Sequence, residues 1–294
     1  MASRTATVWR LLDVLREASE YLERQSVEQP RLNAERLLAH VLGHSRVDLY
    51  LRFEQPIQAD KLLAYKELLH RRAGREPLQY IIGETEFMSL PLNVDSRVLI
   101  PRPETEILTE SVITDWKGRS PCILDIGTGS GCIAVSLAHY LPGSRALAID
   151  ADEDALSVAR LNVDRHGLSE RVILKRADGT EDIFLRSVRP PLDVVVCNPP
   201  YVSSESWEDL APEIREFEPR KALCDEGDGL TFYRMLARGL SLIPVPEFMF
   251  YLEMGDGQAD AVRTLFGTEC VADLQVIEDL NRIPRVLKGK KKPV

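Results

Sequence analysis

Residues 192–201 constrain this chain more than any other stretch. Residues 192–197 are a short, valine-rich apolar run, bounded by Pro190-Pro191 on one side and Pro199-Pro200 on the other. Such a run reads as a buried parallel strand. In open α/β sheets ligands bind outside the carboxyl ends of the strands, so Asn198-Pro199-Pro200-Tyr201 stands where chemistry is done. These residue types suit the holding of an NH2 group on a planar carbon. The Asn198 side chain offers a carbonyl acceptor. Pro200 keeps Pro199 out of the α region, and Pro199 fixes its own φ, so the Pro199 carbonyl points in a set direction as a second acceptor. Tyr201 adds a flat face for stacking. Alone, the tetrapeptide is equally a strand end, a Pro-Pro turn and a core tyrosine; a second motif upstream decides between these.

That motif begins with the apolar strand at residues 122–126, runs into Gly127-Thr128-Gly129-Ser130-Gly131, and continues into a helical run from Cys132. Strand, glycine loop and helix open a nucleotide-binding βαβ unit, and the glycines let the backbone turn sharply against a ligand. The spacing G-x-G-x-G lacks the third glycine of the dinucleotide fingerprint, so the ligand need not carry a pyrophosphate, although a glycine loop by itself also fits a dehydrogenase. The next strand ends at Asp150, an acid placed for two adjacent ribose hydroxyls, whereas Asp152, Glu153 and Asp154 read as first-turn helix acids. A third strand leads to Asp178-Gly179, where the acid suits an adenine amino group or simply forms a turn. A ribose-gripping acid, a loop with no call for phosphate and an amine clamp together suggest S-adenosylmethionine beside an NH2 acceptor. Asn198 then borders both.

The remaining chain is compatible with this. Of 294 residues, 44% are hydrophobic and 28% charged, which suits a globular protein with one large domain, or one large and one small. The net charge of −9 argues against a broad nucleic-acid-binding face. Cys122, Cys132, Cys197, Cys224 and Cys270 are scattered without a C-x-x-C pair, and read as reduced core residues of a cytoplasmic protein. No metal site is expected: His40 and His44 are four apart, but no further ligands join them. No apolar run reaches membrane-spanning length and no signal-peptide pattern is present, so no membrane partner is expected. The lysines at 288–292 read as a solvated basic tail.

In the N-terminal third, Val8, Leu11, Leu12, Leu15, Ala18 and Leu22 recur at helical spacing. A second helix is expected at about 31–42, stopped by Gly43, and a third at about 59–72 with Leu62, Leu63, Leu68 and Leu69 facing inward. These make a small bundle. Strand-like segments around Phe87, Leu90, Leu92 and Val94, and again at 98–100, read as a β-hairpin, followed by a helix opening near residues 101–105.

Across nearly its whole length the chain resembles the HemK/PrmC family of protein-(glutamine-N5) methyltransferases. The resemblance is carried by the sequence at 31–43, by 77–83 and Ile100-Pro101-Arg102-Pro103-Glu104-Thr105-Glu106, by the cofactor loop 124–131, by the tetrapeptide, and by Phe217-Glu218-Pro219 with Gly227-Asp228-Gly229-Leu230. The tetrapeptide is shared with other amino-methyltransferases; the I-P-R-P-E-T and F-E-P stretches are more specific. Two turns depart from the family pattern. Pro244-Val245-Pro246-Glu247 stands where a Gly-Gly turn is usual, and residues 279–285 only partly match D-L-A-G.

The resemblance implies an α/β protein with an N-terminal helical substrate-recognition domain (1–84), a β-hairpin linker (85–100), and a seven-stranded Rossmann-like S-adenosylmethionine-dependent methyltransferase domain (101–294). Its last strands, from Val271 and Arg285, would close one edge antiparallel. It implies methylation of the glutamine of the Gly-Gly-Gln motif in peptide chain release factors. Gly127, Thr128, Gly129, Ser130, Gly131, Asp150, Asp178, Gly179 and Asn198 would hold the cofactor, and Asn198, Pro199, Pro200 and Tyr201 the acceptor amide. Three alternatives stay open: a ribosomal-protein glutamine, an exocyclic amine of DNA or RNA, and cofactor binding without catalysis.

Overall fold

The computed structural model describes residues 9–293; Val8, assigned above to the first helix, lies outside them. The chain forms two compact units. One comprises the described residues through Gly83 together with Pro212–Phe217, and the other comprises Glu84–Ala211 and the residues from Glu218 onward.

The first unit is helical: α1 (Leu11–Arg24), α2 (Pro30–Leu42), α3 (Arg46–Tyr50), α4 (Ala59–Ala73) and α5 (Leu78–Ile82). Pro30 opens α2 at a position where no N–H is needed, and Gly43 closes it in the left-handed conformation. The five-residue α3 escaped the periodicity analysis; a capping box between Ser45 and Asp48 starts it. Leu11, Val14, Leu15, Leu22, Leu37, Leu38 and Tyr65 meet in one core. Two inward assignments fail. Leu12 is 41% exposed and Leu63 is 64% exposed, because the buried stripe of α4 runs through Tyr65, Leu69 and Arg72, and Leu63 lies beside it. Tyr65 satisfies its buried hydroxyl by donating to the Ala34 carbonyl at 3.0 Å. The Arg72 guanidinium is buried too, donating to Asn33 Oδ1 at 2.8 Å and to Glu213 Oε1, on the returning segment, at 3.2 Å.

The second unit opens with an antiparallel hairpin, β1 (Glu84–Phe87) and β2 (Leu90–Asn93). Phe87, Leu90 and Leu92 lie in the core of this unit. Residues 98–100 are not a strand. The Ile100 N–H donates to the Glu218 carboxylate at 3.2 Å rather than to a strand partner, and Pro101 has no N–H to continue a ladder. The main sheet contains β3 (Cys122–Ile126), β4 (Arg145–Asp150), β5 (Val172–Arg176), β6 (Val194–Cys197), β7 (Phe248–Glu253), β8 (Val271–Glu278) and β9 (Pro284–Lys291) in the order β5-β4-β3-β6-β7-β9-β8. The first five are mutually parallel, and β9 runs antiparallel to both β7 and β8. The seven-stranded sheet with its antiparallel edge is the architecture expected from the sequence. Helices α6 (Pro103–Trp116), α7 (Cys132–Tyr140), α8 (Glu153–Arg165), α9 (Asp182–Ser187), α11 (Thr231–Leu242) and α12 (Ala259–Phe266) belong to this unit, and Pro212–Phe217 is α10. The chain winds outward from β3 to β5, then returns to the far side of β3 as β6. This reversal opens a crevice at the carboxyl ends of β3 and β6.

The basic segment is not a solvated tail. Lys288, Lys290 and Lys291 belong to β9. Lys291 is buried and donates to the carbonyls of Ile243 at 3.1 Å and Val245 at 2.6 Å. Pro244 and Pro246 bring no N–H to that turn, and the ammonium supplies the donors there. In the other divergent turn, Arg282 adopts φ +62°, the left-handed conformation that the glycine of a D-L-A-G pattern takes without strain. All five cysteines are unpaired. No helix among the described residues is long and apolar enough to cross a membrane, and among them no group of three or more His, Cys, Asp or Glu is placed to hold a metal.

Candidate active site

A cavity of about 310 Å³ sits in the crevice. Its wall includes Gly127, Thr128, Gly129, Ser130, Asp150, Asp178, Gly179, Asn198, Pro199 and Pro200. The loop after β3 is pinned by its own backbone. The N–H groups of Gly127 and Thr128 both donate to the Ile149 carbonyl at 2.9 Å, and Gly129 N–H donates to Asp150 Oδ2 at 2.9 Å. Asp150 Oδ1 accepts from the Asp152 N–H at 2.9 Å, which fixes the carboxylate on the wall with lone pairs to spare. Burial raises its pKa, and the N–H bonds from Asp152 and Gly129 counter that rise. Asp178 Oδ1 accepts from the Thr180 N–H at 2.8 Å and its hydroxyl at 2.6 Å, so the turn role and the place on the wall coexist. A Cβ on Gly179 would lie 2.3 Å from Ile126 Cγ2, so only glycine fits that close approach. Gly131 stands off the wall and packs against Ala159 at the start of α7.

Beneath the loop lies Asp125, completely buried. It accepts from the Thr128 hydroxyl at 2.7 Å through Oδ2, while Oδ1 has no partner of ordinary hydrogen-bond geometry among the described residues. Burial pushes its pKa up to about 7 against the pull of the Thr128 bond.

On the other side of the crevice, Asn198 Nδ2 donates to Thr105 Oγ1 at 3.1 Å. Thr105 comes from the first turn of α6 and is buried. Pro199 and Pro200 line the cavity, but Tyr201 does not. The Tyr201 hydroxyl donates to Glu253 Oε1 at 3.3 Å, and its carbonyl accepts from Gln258 Nε2 at 3.0 Å. Tyr201 is thus tied down at both its hydroxyl and its carbonyl. Glu253 is fully buried, and its Oε2 has no partner of ordinary hydrogen-bond geometry among the described residues. Burial raises its pKa to about 7, while the Thr105 side chain, acting as a hydrogen-bond donor, and the Tyr201 hydroxyl favour the charged form.

Sequence reasoning passed over Thr105, Glu253, Gln258 and Lys221. Lys221 stands on the cavity wall and pairs with Asp152 at 2.5 Å. Glu253 carried a usable signal: it is an acid closing an apolar strand, the same mark that singled out Asp150. The two specific motifs also prove to be one contact. Arg102 of I-P-R-P-E-T pairs at 2.5 Å with Glu218 of F-E-P, whose carboxylate is buried.

A mixed sheet of this order, with a glycine loop after its central strand, is that of a Rossmann-like methyltransferase. In keeping with this, the Methyltransferase small domain model matches residues 103–227, and the PrmC N-terminal domain model matches residues 13–83. Among solved structures, the hMettl16 catalytic domain in complex with a MAT2A 3′UTR hairpin shares the fold with a TM-score of 0.50 at 16% identity, over 92% of this chain and 90% of that one. The release factor glutamine methyltransferase of Chlorobaculum tepidum is 41% identical over 95% of this chain and 97% of its own length. That of Geobacter sulfurreducens is 39% identical over 96% and 97%. The chain belongs to the release factor glutamine methyltransferase family.

Proposed function

We propose that this protein methylates the side-chain nitrogen N5 of the glutamine in the Gly-Gly-Gln motif of peptide chain release factors. The methyl donor is S-adenosylmethionine, the reaction is cytoplasmic, and it tunes translation termination. The observation that carries this reading is the orientation of Asn198. Its Nδ2 is committed to Thr105, so Oδ1 remains as an acceptor on a cavity wall shared with Pro199. A protein acceptor also suits the net charge of −9 better than a nucleic acid does.

The residues present fit the donor. Gly127, Thr128, Gly129 and Ser130 would pass close along it, the spare lone pairs of Asp150 would accept from its ribose hydroxyls, and Asp178 with Gly179 would border its adenine. When bound, S-adenosylmethionine supplies a methyl group already activated by its sulfonium sulfur. An amide nitrogen is a poor nucleophile because its lone pair is delocalised, the effect behind a peptide rotation barrier of roughly 18–20 kcal/mol. Asn198 Oδ1 and the Pro199 carbonyl accept the two amide hydrogens and hold the nitrogen toward the methyl. Such orientation can contribute on the order of 7–11 kcal/mol. Pro200 backs the amide plane, and Tyr201 steadies the loop. The proton leaves after transfer, when the nitrogen has become acidic. The helical unit recognises the release factor, since a tripeptide is too small to define a substrate.

The test is methyl transfer from labelled S-adenosylmethionine to a purified release factor and to the same factor with its Gly-Gly-Gln glutamine replaced. Label on the first and none on the second is the expected result. Label on neither, with label on ribosomal protein or nucleic acid instead, would move the function elsewhere while leaving the cavity's chemistry intact.

A further inference from the structure

The cavity has a third wall besides the glycine loop and the Asn198 loop. Residues 219–222 form it, and Pro219, Lys221 and Ala222 line the space. This segment is fastened to the side of the crevice that carries Asn198. At one end the Glu218 carboxylate takes the Ile100 N–H at 3.2 Å and pairs with Arg102 at 2.5 Å. At the other end the Val202 N–H donates to the Leu223 carbonyl at 2.9 Å, and the Asp225 N–H donates to the Val202 carbonyl at 3.0 Å. Between these anchors Lys221 reaches across to Asp152, on the methyl-donor side, at 2.5 Å. We propose that the Lys221–Asp152 pair is a strap across the rim of the cavity, which must open each time S-adenosylmethionine enters and its demethylated product leaves. The inference rests on the reading of the cavity as the S-adenosylmethionine site.

The Lys221 side chain is 63% exposed and that of Asp152 19%, so the pair stands where the cavity meets solvent rather than deep within it. Its far end lands beside the acid that suits the ribose, because the Asp152 N–H donates to Asp150 Oδ1 at 2.9 Å. The neighbouring cations are engaged elsewhere. The Arg220 guanidinium lies over the Trp207 ring at 4.4 Å and pairs with Glu226 at 2.7 Å. Arg97, also on the cavity wall, is held by Asp95 two residues away at 2.6 Å. An ion pair as exposed as that of Lys221 is weak, so it can open at every turnover. A strap that is equally strong with and without the methyl donor slows entry and exit alike and leaves affinity where it was. A lysine that touched the methyl donor itself would change the affinity instead.

The experiment compares Lys221→Met, Asp152→Asn and the double variant in the full-length enzyme. Methionine keeps an unbranched side chain without the charge. Asparagine keeps an oxygen to accept from the Asp154 N–H, as Asp152 does at 3.1 Å, so α8 retains its cap. Association and dissociation of S-adenosylhomocysteine, which has no methyl group to transfer, are followed by surface plasmon resonance. Each single variant should raise both rates roughly two- to fivefold and hold Kd within about twofold. The double variant should go no further than either single one. Raising the salt from about 0.05 to about 0.5 M should speed exchange in the wild type and not in the variants. Wild-type rates in both single variants, or effects that add in the double variant, overturn the strap. A rise in Kd confined to Lys221→Met also overturns it, since Lys221 would then touch the ligand directly. No binding of S-adenosylhomocysteine to the wild-type enzyme overturns the underlying reading of the cavity instead, so the two failures are told apart.

Discussion

Two carboxyl groups flank the end of β6, Asp125 from β3 on one side and Glu253 from β7 on the other. They are built alike. Both are fully buried, both interact with a threonine hydroxyl, both leave one oxygen without a partner of ordinary geometry, and burial pushes both up to about 7. They differ in where the threonine comes from and what it touches next. Thr128 lies three residues on from Asp125, in the glycine loop itself, so that carboxyl ties the loop to β3. Thr105 comes instead from α6 and accepts from Asn198, and the Glu253 carboxyl takes the Tyr201 hydroxyl, so that carboxyl lies behind the Asn198 loop. One buried acid thus stands behind the glycine loop and another behind the Asn198 loop.

The sharpest way to break this division is to remove one surface group from each half. Asn198→Ala should lower methyl transfer about 10²–10³-fold while S-adenosylmethionine affinity by calorimetry is largely kept. Asp150→Ala should do the reverse and weaken donor binding. If both variants lose donor affinity equally, the halves are not separate. A smaller effect concerns pH. A carboxyl whose folded pKa is raised contributes stability that is fully present below its unfolded value and lost as pH rises through about 7. The protein should therefore lose stability with rising pH in this range, by at most about 1.4 kcal/mol per pH unit for each carboxyl. Asp125→Asn and Glu253→Gln should each flatten part of that slope in urea melts at about pH 5 and about pH 8. A slope unchanged in both would mean that neither holds its proton. The smallest effect is Thr128→Val, which removes one buried hydrogen bond to Asp125. It should cost about 1–3 kcal/mol in chemical denaturation, and it should push the Asp125 transition to higher pH.

This contrast also marks what the sequence made legible. The donor side was readable because its parts are consecutive: β3, the glycine loop and α7 follow one another, and Asp150 closes the next strand. The acceptor side was readable only at its visible tip. Asn198, Pro199 and Pro200 line the cavity, but the side chains bonded to their loop are Thr105, Glu253 and Gln258, which are distant in sequence and come together only in the fold. The misplaced assignments have the same cause. Leu63 and the lysines of β9 were read from local pattern, and tertiary packing reversed both: Tyr65 takes the place inside the bundle, and a proline-rich turn with unmet carbonyls draws Lys291 inward. Residues 98–100 were apolar enough for a strand, but a distant carboxylate takes the Ile100 N–H.

The helical unit includes one piece that arrives late. Its main segment ends at Gly83, but Pro212–Phe217 belongs to it as well, about 130 residues further on. At a synthesis rate of roughly 5–20 residues per second, the interval between the two is on the order of ten seconds. Throughout that time the buried Arg72 and its neighbour Arg75 have no Glu213 to receive them. A nascent chain must therefore carry an incomplete bundle, with both arginines lacking this shared carboxylate, until most of the sheet has been made. A version of this unit produced on its own would have to carry the six late residues to escape the same condition.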